Sequence, residues 1–146
     1  MAVEARPRTV ADHSQGPEIE WAFDGTRLKE AKALEALGVA VIQFDEPVYS
    51  RRPERALEIG IPALNRAAAG LKTAKPAAHV CYGYPHQGIA RERRESYPDI
   101  VDGLEKSDIQ LISLEFEVSG IDPKVLRRCP SKTVMFGGKP GNQAKR

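Results

Sequence analysis

The segment 77–85, AAHVCYGYP, carries a histidine and a cysteine two positions apart in an apolar run. Residues i and i+2 of a β-strand point to the same face, so His79 and Cys81 are predicted to project together. An imidazole nitrogen and a thiolate sulfur are preferred ligands of Zn²⁺, and a catalytic zinc site takes three protein ligands. The pair therefore needs a further donor from another strand. The alternative is a histidine and a thiol that only pack in the core.

Carboxylates at the ends of other apolar segments are the candidates for that donor. Glu115 and Glu117 lie in the predicted strand IQLISLEFE and are expected to share one of its faces. Asp45 and Glu46 end an earlier apolar segment, where a carboxylate could bind a substrate amine or cap a turn. The spacing alone leaves the choice between Glu115 and Glu117 open.

Other reactive residues are expected to take no part in this cluster. Cys129 precedes a predicted strand and therefore belongs at the opposite rim of the sheet. His86 follows the histidine–cysteine strand, where a solvated loop histidine is expected. The charged run RERRE at 91–95 is typical of a solvated helix face. The glycines of GGKPGNQAKR do not match a nucleotide-binding loop.

The elements that must hold these residues alternate along the chain. Helices are predicted at 26–38, 53–71, 89–108 and 122–130, and strands at 39–47, 77–84, 109–117 and 133–138. This alternation predicts an α/β fold with a mainly parallel sheet. Sites in such sheets lie at the carboxyl ends of the strands, which is where the candidate ligands fall.

Three local features refine the helices. The first predicted helix carries a stripe expected to face the core, formed by Leu28, Ala31, Leu34 and Leu37, and Gly38 follows as the residue after its end. Pro62 removes a backbone donor, so a kink or a new helix start is expected near Ile61. Pro98 is expected to divide the helical region at 89–108.

The composition is that of one globular domain. Of the 146 residues, 41% are hydrophobic and 29% charged, which is typical of a soluble protein. The net charge of +2 gives no strong field for nucleic acid. No apolar run reaches the roughly 18 to 20 residues that span a bilayer, and with two cysteines and a charged N-terminus a cytoplasmic protein is predicted. We expect an irregular lead-in at 1–25 and one domain at 26–146.

Taken together, the motifs resemble those of the cobalamin-independent methionine synthase family, in its C-terminal catalytic TIM-barrel domain. The matching segments occur in order across most of residues 9–140: TVADHS, ALGVAVIQFDEP, ALNRAAAGL, HVCYGYP, SDIQLISLEFE and TVMFGG. A full barrel takes about 250 residues, so the resemblance implies a partial TIM (β/α) barrel of about four parallel strands with intervening helices. The open edges of such a sheet predict a homo-oligomer or pairing with a complementing barrel segment.

The resemblance also implies a site and an activity. His79, Cys81 and Glu115 match zinc ligands of the family, and Asp45 matches the aspartate that holds the amino group of the substrate. The family's further cysteine ligand has no counterpart after TVMFGG. The implied activity is methyl transfer from a methyl-folate type donor to a small thiol such as homocysteine, in a shortened chain that is weakly active or inactive. The alternatives are a non-catalytic barrel remnant serving assembly or interaction, and a zinc-dependent alkyl-thiol transferase or lyase.

Overall fold

The computed structural model describes residues 26–82 and 96–137. The strands are β1 (Val41–Asp45), β2 (Lys75–Val80), β3 (Leu111–Glu115) and β4 (Thr133–Gly137). The α-helices are α1 (Thr26–Ala36), α2 (Pro53–Arg55), α3 (Ile61–Ala68), α4 (Tyr97–Glu105) and α5 (Phe116–Ser119). A π-helical segment, Ala56–Gly60, joins α2 to α3, and a 3-10 helix, Pro123–Arg128, follows α5. The lead-in expected at 1–25 and His86 lie outside the described residues, so the domain boundary stays a prediction.

The described strands form one parallel sheet in the order β1-β2-β3-β4. Each strand therefore pairs with its neighbour along the chain, as in a (β/α) barrel, whereas the strand order of an open doubly wound sheet reverses direction. In the register, Asp45 lies opposite His79, and His79 lies opposite Ser113. The α/β class and the four parallel strands of a partial barrel, predicted from the sequence, are confirmed.

The helices cover one face of this sheet. Burial alternates along β1 and β3, so that one set of side chains enters the core and the other set is more exposed. The fully buried core includes Val80, Ile112 and Leu114 from the strands and Leu64, Ile100 and Leu104 from the helices. The face with the more exposed side chains of β1 and β3 corresponds to the inner surface of a barrel. None of the described helices is long and apolar enough to cross a membrane.

The region predicted as one helix at 53–71 is helical from Pro53 to Ala68 but changes its winding on the way. The π-helical segment ends at Gly60, where the Ile61 N–H donates to the carbonyl of Ala56, and α3 begins at Ile61, next to Pro62, which has no N–H to donate. The predicted break near Ile61 is confirmed. A Cβ atom at Gly60 would lie 2.6 Å from the ring of Tyr49, so glycine lets the helix approach this side chain.

The predicted stripe of the first helix is only partly buried. Ala31 is 2% exposed, but Leu34 and Leu37 are 45% and 80% exposed, so the prediction that they face the core is wrong. The physical reason is the position of α1, which packs against β1 and α3 at the edge of the described sheet, so that its side with Leu34 and Leu37 is exposed. Gly38 has a φ of 84°, as expected for the residue that ends a helix.

Two strand predictions need correction. β3 ends at Glu115, and α5 begins at the next residue, so Glu115 and Glu117 do not share a strand face as predicted. Phe116 turns into the core at this point, and Gly120, with a φ of 64°, ends the short helix. β2 begins two residues earlier than predicted and ends at Val80. Pro98 lies in the first turn of α4, and residues 89–95 of the predicted helical region lie outside the described residues, so its predicted division at Pro98 stays a prediction.

Candidate metal centre

Three potential metal ligands meet at the carboxyl ends of two neighbouring strands. His79 lies near the end of β2, Cys81 directly follows β2, and Glu115 ends β3. One ligand atom from each residue lies within 4.8 Å of the other two. Parallel strands bring their carboxyl ends to the same edge of the sheet, which explains why residues far apart in sequence converge here. The nitrogen, sulfur and oxygen donors are those that Zn²⁺ prefers, so the donor set fits zinc.

The His79 ring lies between two neighbouring strands. Its Nδ1 atom lies 3.0 Å from the hydroxyl oxygen of Ser113, and its Nε2 atom lies 3.9 Å from Oδ1 of Asp45. An Nδ1–H that donates to Ser113 leaves the Nε2 lone pair for a metal, which is the usual arrangement of a ligating histidine. Sequence reasoning missed Ser113, although its position two residues before Glu115 puts it on the same strand face.

The Glu115 carboxylate is fixed by a backbone donor. The N–H of Tyr82, the residue after Cys81, donates to Oε2 of Glu115 at 2.6 Å. A hydrogen bond to an ionised carboxylate is stronger than one between neutral groups, so this contact orients the side chain. One carboxylate oxygen is thereby anchored, and the second can serve as a single-atom ligand.

Two hydroxyl groups brace the backbone around these ligands. Ser50 Oγ donates to the carbonyl of Cys81 at 2.9 Å from the loop after β1. The Tyr97 hydroxyl donates to the carbonyl of Val80 at 3.2 Å and accepts the N–H of Glu115 at 3.1 Å. Sequence reasoning missed both residues because their partners are backbone groups on other elements, which no local pattern indicates.

The two carboxylates that end β1 have different environments. The Asp45 side chain is 68% exposed, whereas Glu46 is buried and accepts a hydrogen bond from Nη1 of Arg27 at 3.0 Å. Burial raises the pKa of Glu46 to about 7, and the Arg27 charge opposes part of this rise. Glu46 therefore joins α1 to the end of β1, and Asp45 is the carboxylate accessible beside His79.

The remaining sequence candidates lie away from the cluster. Cys129 precedes β4, and its thiol donates to the carbonyl of Leu126 at 3.3 Å, which agrees with its expected position at the opposite rim. Glu117 is exposed on α5. Within the ranges 26–82 and 96–137, the cluster of His79, Cys81 and Glu115 is the one group of at least three such side chains close enough to hold a metal ion.

The fold and this cluster define a partial (β/α) barrel with a candidate metal centre at the carboxyl ends of its strands. Among solved structures, the chain is similar to a B12-independent methionine synthase from Shewanella sp. W3-18-1, described in complex with selenomethionine. The sequences are 37% identical, the TM-score is 0.68, and the match covers 78% of this chain and 35% of that protein. The resemblance inferred from the sequence is confirmed. Neither a protein-family model nor a curated protein sequence matches the chain.

Proposed function

We propose that this chain binds zinc through His79, Cys81 and Glu115 and forms part of a methionine synthase-like active site. The supporting observation is the convergence of three zinc-type donors within 4.8 Å, in a fold similar to a B12-independent methionine synthase. The proposed reaction is methyl transfer from a methyl-folate type donor to a small thiol such as homocysteine. Because the chain corresponds to 35% of the length of its structural relative, we propose weak or absent activity for the chain alone.

The proposed chemistry activates a thiol. A free thiol has a pKa of about 8.5, and bound zinc would deprotonate a coordinated thiol at neutral pH. The residues of the chain fix the donors, since Ser113 orients the His79 ring and the Tyr82 N–H orients Glu115. Cys81, as a thiolate, and Glu115 would supply two negative charges to the metal. With three protein ligands, a coordination position is left for the substrate thiol.

Asp45 is the proposed binding residue for the amino group of the thiol substrate. Its side chain is 68% exposed, and its Oδ1 atom lies 3.9 Å from His79 Nε2, beside the candidate metal ligands. A carboxylate in that position forms a charge-assisted hydrogen bond with an ammonium group. The structural relative is described with selenomethionine, an amino acid, which is consistent with a site that takes amino-acid substrates.

The outer strands of the described sheet support a further part of the proposal, pairing with a second copy of the chain. The outer strands β1 and β4 expose apolar side chains, with Val41 at 45%, Met135 at 38% and Phe136 at 54%. Exposed edge strands with apolar side chains favour strand pairing between chains. Two copies joined through β1 and β4 would give eight parallel strands, the number in a closed barrel.

Zinc stoichiometry tests the metal assignment. We expect the parent and Cys129→Ser to bind about one zinc ion per chain, and Cys81→Ser to lose it, because Cys81 is one of three ligands. Native mass spectrometry of the purified chain measures bound zinc and subunit number together. No zinc in the parent would favour the non-catalytic remnant, and equal loss in both cysteine variants would refute the ligand assignment. Zinc binding together with alkyl transfer to or from a thiol other than homocysteine would favour the alternative, a zinc-dependent alkyl-thiol transferase or lyase.

A further inference from the structure

We infer that Tyr97 is a positioning residue of the candidate metal centre, and that its hydroxyl holds Cys81 at the correct distance from Glu115. This inference rests on the proposed zinc site. The hydroxyl donates to the carbonyl of Val80, the residue before Cys81, at 3.2 Å. It also accepts the backbone N–H of Glu115 at 3.1 Å. A single side-chain oxygen therefore joins the backbone of β2 to that of β3 next to both ligands.

The bridge lies where the regular pairing of the strands stops. The register between β2 and β3 ends with Val80 opposite Leu114, and both ligands lie one residue farther along their chains. Beyond that pair, the spacing of the two backbones depends on side-chain contacts. The Tyr97 hydroxyl provides one of them, and the hydrogen bond from the Tyr82 N–H to Glu115 provides another.

Packing fixes the position of the Tyr97 ring. The side chain is fully buried at the start of α4 and packs edge-on against Tyr82 and Phe116, with ring centroids 5.8 Å apart in each pair. The hydroxyl can therefore donate to the carbonyl of Val80 and accept from the N–H of Glu115 at the same time. The ring geometry thus determines where the oxygen lies, and the oxygen determines the separation of the two backbone groups.

Removal of this hydroxyl should affect the ligands more than the fold. In Tyr97→Phe the aromatic packing is kept, but the carbonyl of Val80 and the N–H of Glu115 lose their shared partner in a buried region. Buried backbone groups without hydrogen-bond partners raise the free energy of the folded state, so we expect the two strand ends to rearrange. Cys81 and Glu115 would then lose the separation that a metal requires.

The first measurement is metal affinity in the full chain. We expect Tyr97→Phe to lower zinc affinity by about tenfold or more, the usual effect of losing a residue that orients metal ligands. The same variant should weaken the thiolate-to-metal absorption band after cobalt is substituted for zinc. Tyr49→Phe is the matched control, because Tyr49 is also a buried tyrosine but lies in the loop after β1. Urea unfolding of each variant corrects the affinities for the folded fraction.

The second measurement needs no metal. In the metal-free chain, we expect Tyr97→Phe to increase the labelling rate of Cys81 by a thiol reagent relative to that of Cys129, with the two sites separated by mass spectrometry. Both thiols are buried, at 5% and 2% exposure, so Cys129 is an internal reference for general loosening of the fold.

The outcomes separate this inference from the proposed function. If the parent binds no zinc, the metal proposal fails, but the labelling ratio still decides the role of Tyr97. An unchanged ratio, or equal acceleration of Cys129, would show that the hydroxyl does not position Cys81. In a parent that does bind zinc, a parent-like zinc affinity in Tyr97→Phe would also overturn the inference.

Discussion

The centre of the sheet and its two edges differ in how many of their backbone groups are hydrogen-bonded and in how much of their apolar side chains is buried. At the centre, β2 and β3 have strand neighbours on both sides, and hydroxyls from Ser50 and Tyr97 bond the backbone where these strands end. At the edges, β1 and β4 each have one neighbour among the described strands, and large apolar side chains are exposed there. Most of the large exposed apolar side chains in the described residues lie near the edges: Leu34, Leu37, Val39, Val41, Met135 and Phe136.

This contrast shows which parts of a barrel site can form from a few neighbouring strands. The candidate ligands lie on two adjacent central strands and are oriented by groups from nearby loops and α4, so four strands suffice to bring them together. Enclosure of a substrate needs walls on all sides, and the described residues around the exposed Asp45 form four strands, half the number in a closed barrel. We therefore expect metal binding to be measurable in this chain even if methyl transfer is not.

The largest expected difference between the two regions is in stability. Leu104 on α4 is fully buried, whereas Leu34 on α1 is 45% exposed. We expect Leu104→Ala to lower the free energy of unfolding by about 2–5 kcal/mol, the range for a buried leucine, because it removes apolar burial and leaves a cavity. Leu34→Ala should cost less than about 1 kcal/mol, since little burial is lost and alanine favours helix. Urea denaturation at one protein concentration compares the two variants.

An equal decrease in the free energy of unfolding in the two leucine variants would contradict this contrast. It would mean that the outer side of α1 is buried in solution. Unfolding measured at several protein concentrations would then show whether a second copy or the same chain buries it, because only association depends on concentration.

The next effect concerns pairing through the open edges. Met135 on β4 is 38% exposed, and Met135→Lys would place a charge on the edge strand. A lysine on an edge opposes strand addition, and pairing could bury only the 38% of Met135 that is exposed, so association should weaken severalfold. Sedimentation velocity across a concentration series measures the change.

Leu57→Lys is the control for the added charge. Leu57 is 41% exposed but lies on the π-helical segment, not on an edge strand. We expect it to leave association unchanged. A parent that sediments as a monomer at all concentrations would refute pairing with a second copy, and equal weakening by both lysines would locate the contact on the helical face.

The sequence predicted the parts of the site that depend on strand periodicity. His79 and Cys81 project together because they are two residues apart at the end of a strand, and Glu115 meets them because parallel strands end at one edge. Ser50 and Tyr97 could not be predicted in the same way. Their hydroxyls bond backbone groups 31 and 17 residues away, respectively, and such contacts depend on the packing of whole elements.

The failures of prediction have physical causes at particular residues. The periodicity of α1 correctly indicated a helix, but Leu34 and Leu37 are exposed because α1 lies at an edge, which periodicity does not reveal. The strand pattern continued past Glu115 to Glu117, but the backbone turns into α5 as Phe116 packs into the core beside Tyr97. The sequence pattern thus identified the helices and strands, whereas the packing around them determines which of their side chains are buried.

The link between the edge and the centre is a carboxylate on α1. Glu35 Oε1 accepts the backbone N–H groups of Lys72, Thr73 and Ala74, at 2.7, 2.7 and 2.8 Å, in the loop that leads into β2. Hydrogen bonds from Ala74, Thr73 and Lys72 lower the pKa of Glu35 from its ordinary value of 4.5 to about 2. The ionised side chain therefore favours the folded state, and it ties the partly exposed α1 to the interior of the sheet.

The smallest expected effect is the pH dependence that this link adds to stability. The pKa of Glu35 is lower in the folded chain than in the unfolded chain. The stabilisation of the folded state by this carboxylate is therefore fully present above pH 4.5 and is lost as the pH falls toward 2. Glu35→Gln should lower the urea midpoint at neutral pH and make the midpoint fall less steeply between about pH 5 and about pH 3. Glu30→Gln removes the same charge from an exposed position on α1 and should keep the steeper fall of the parent. A parent-like slope in Glu35→Gln would show that the three N–H groups do not hold α1 to the centre of the sheet.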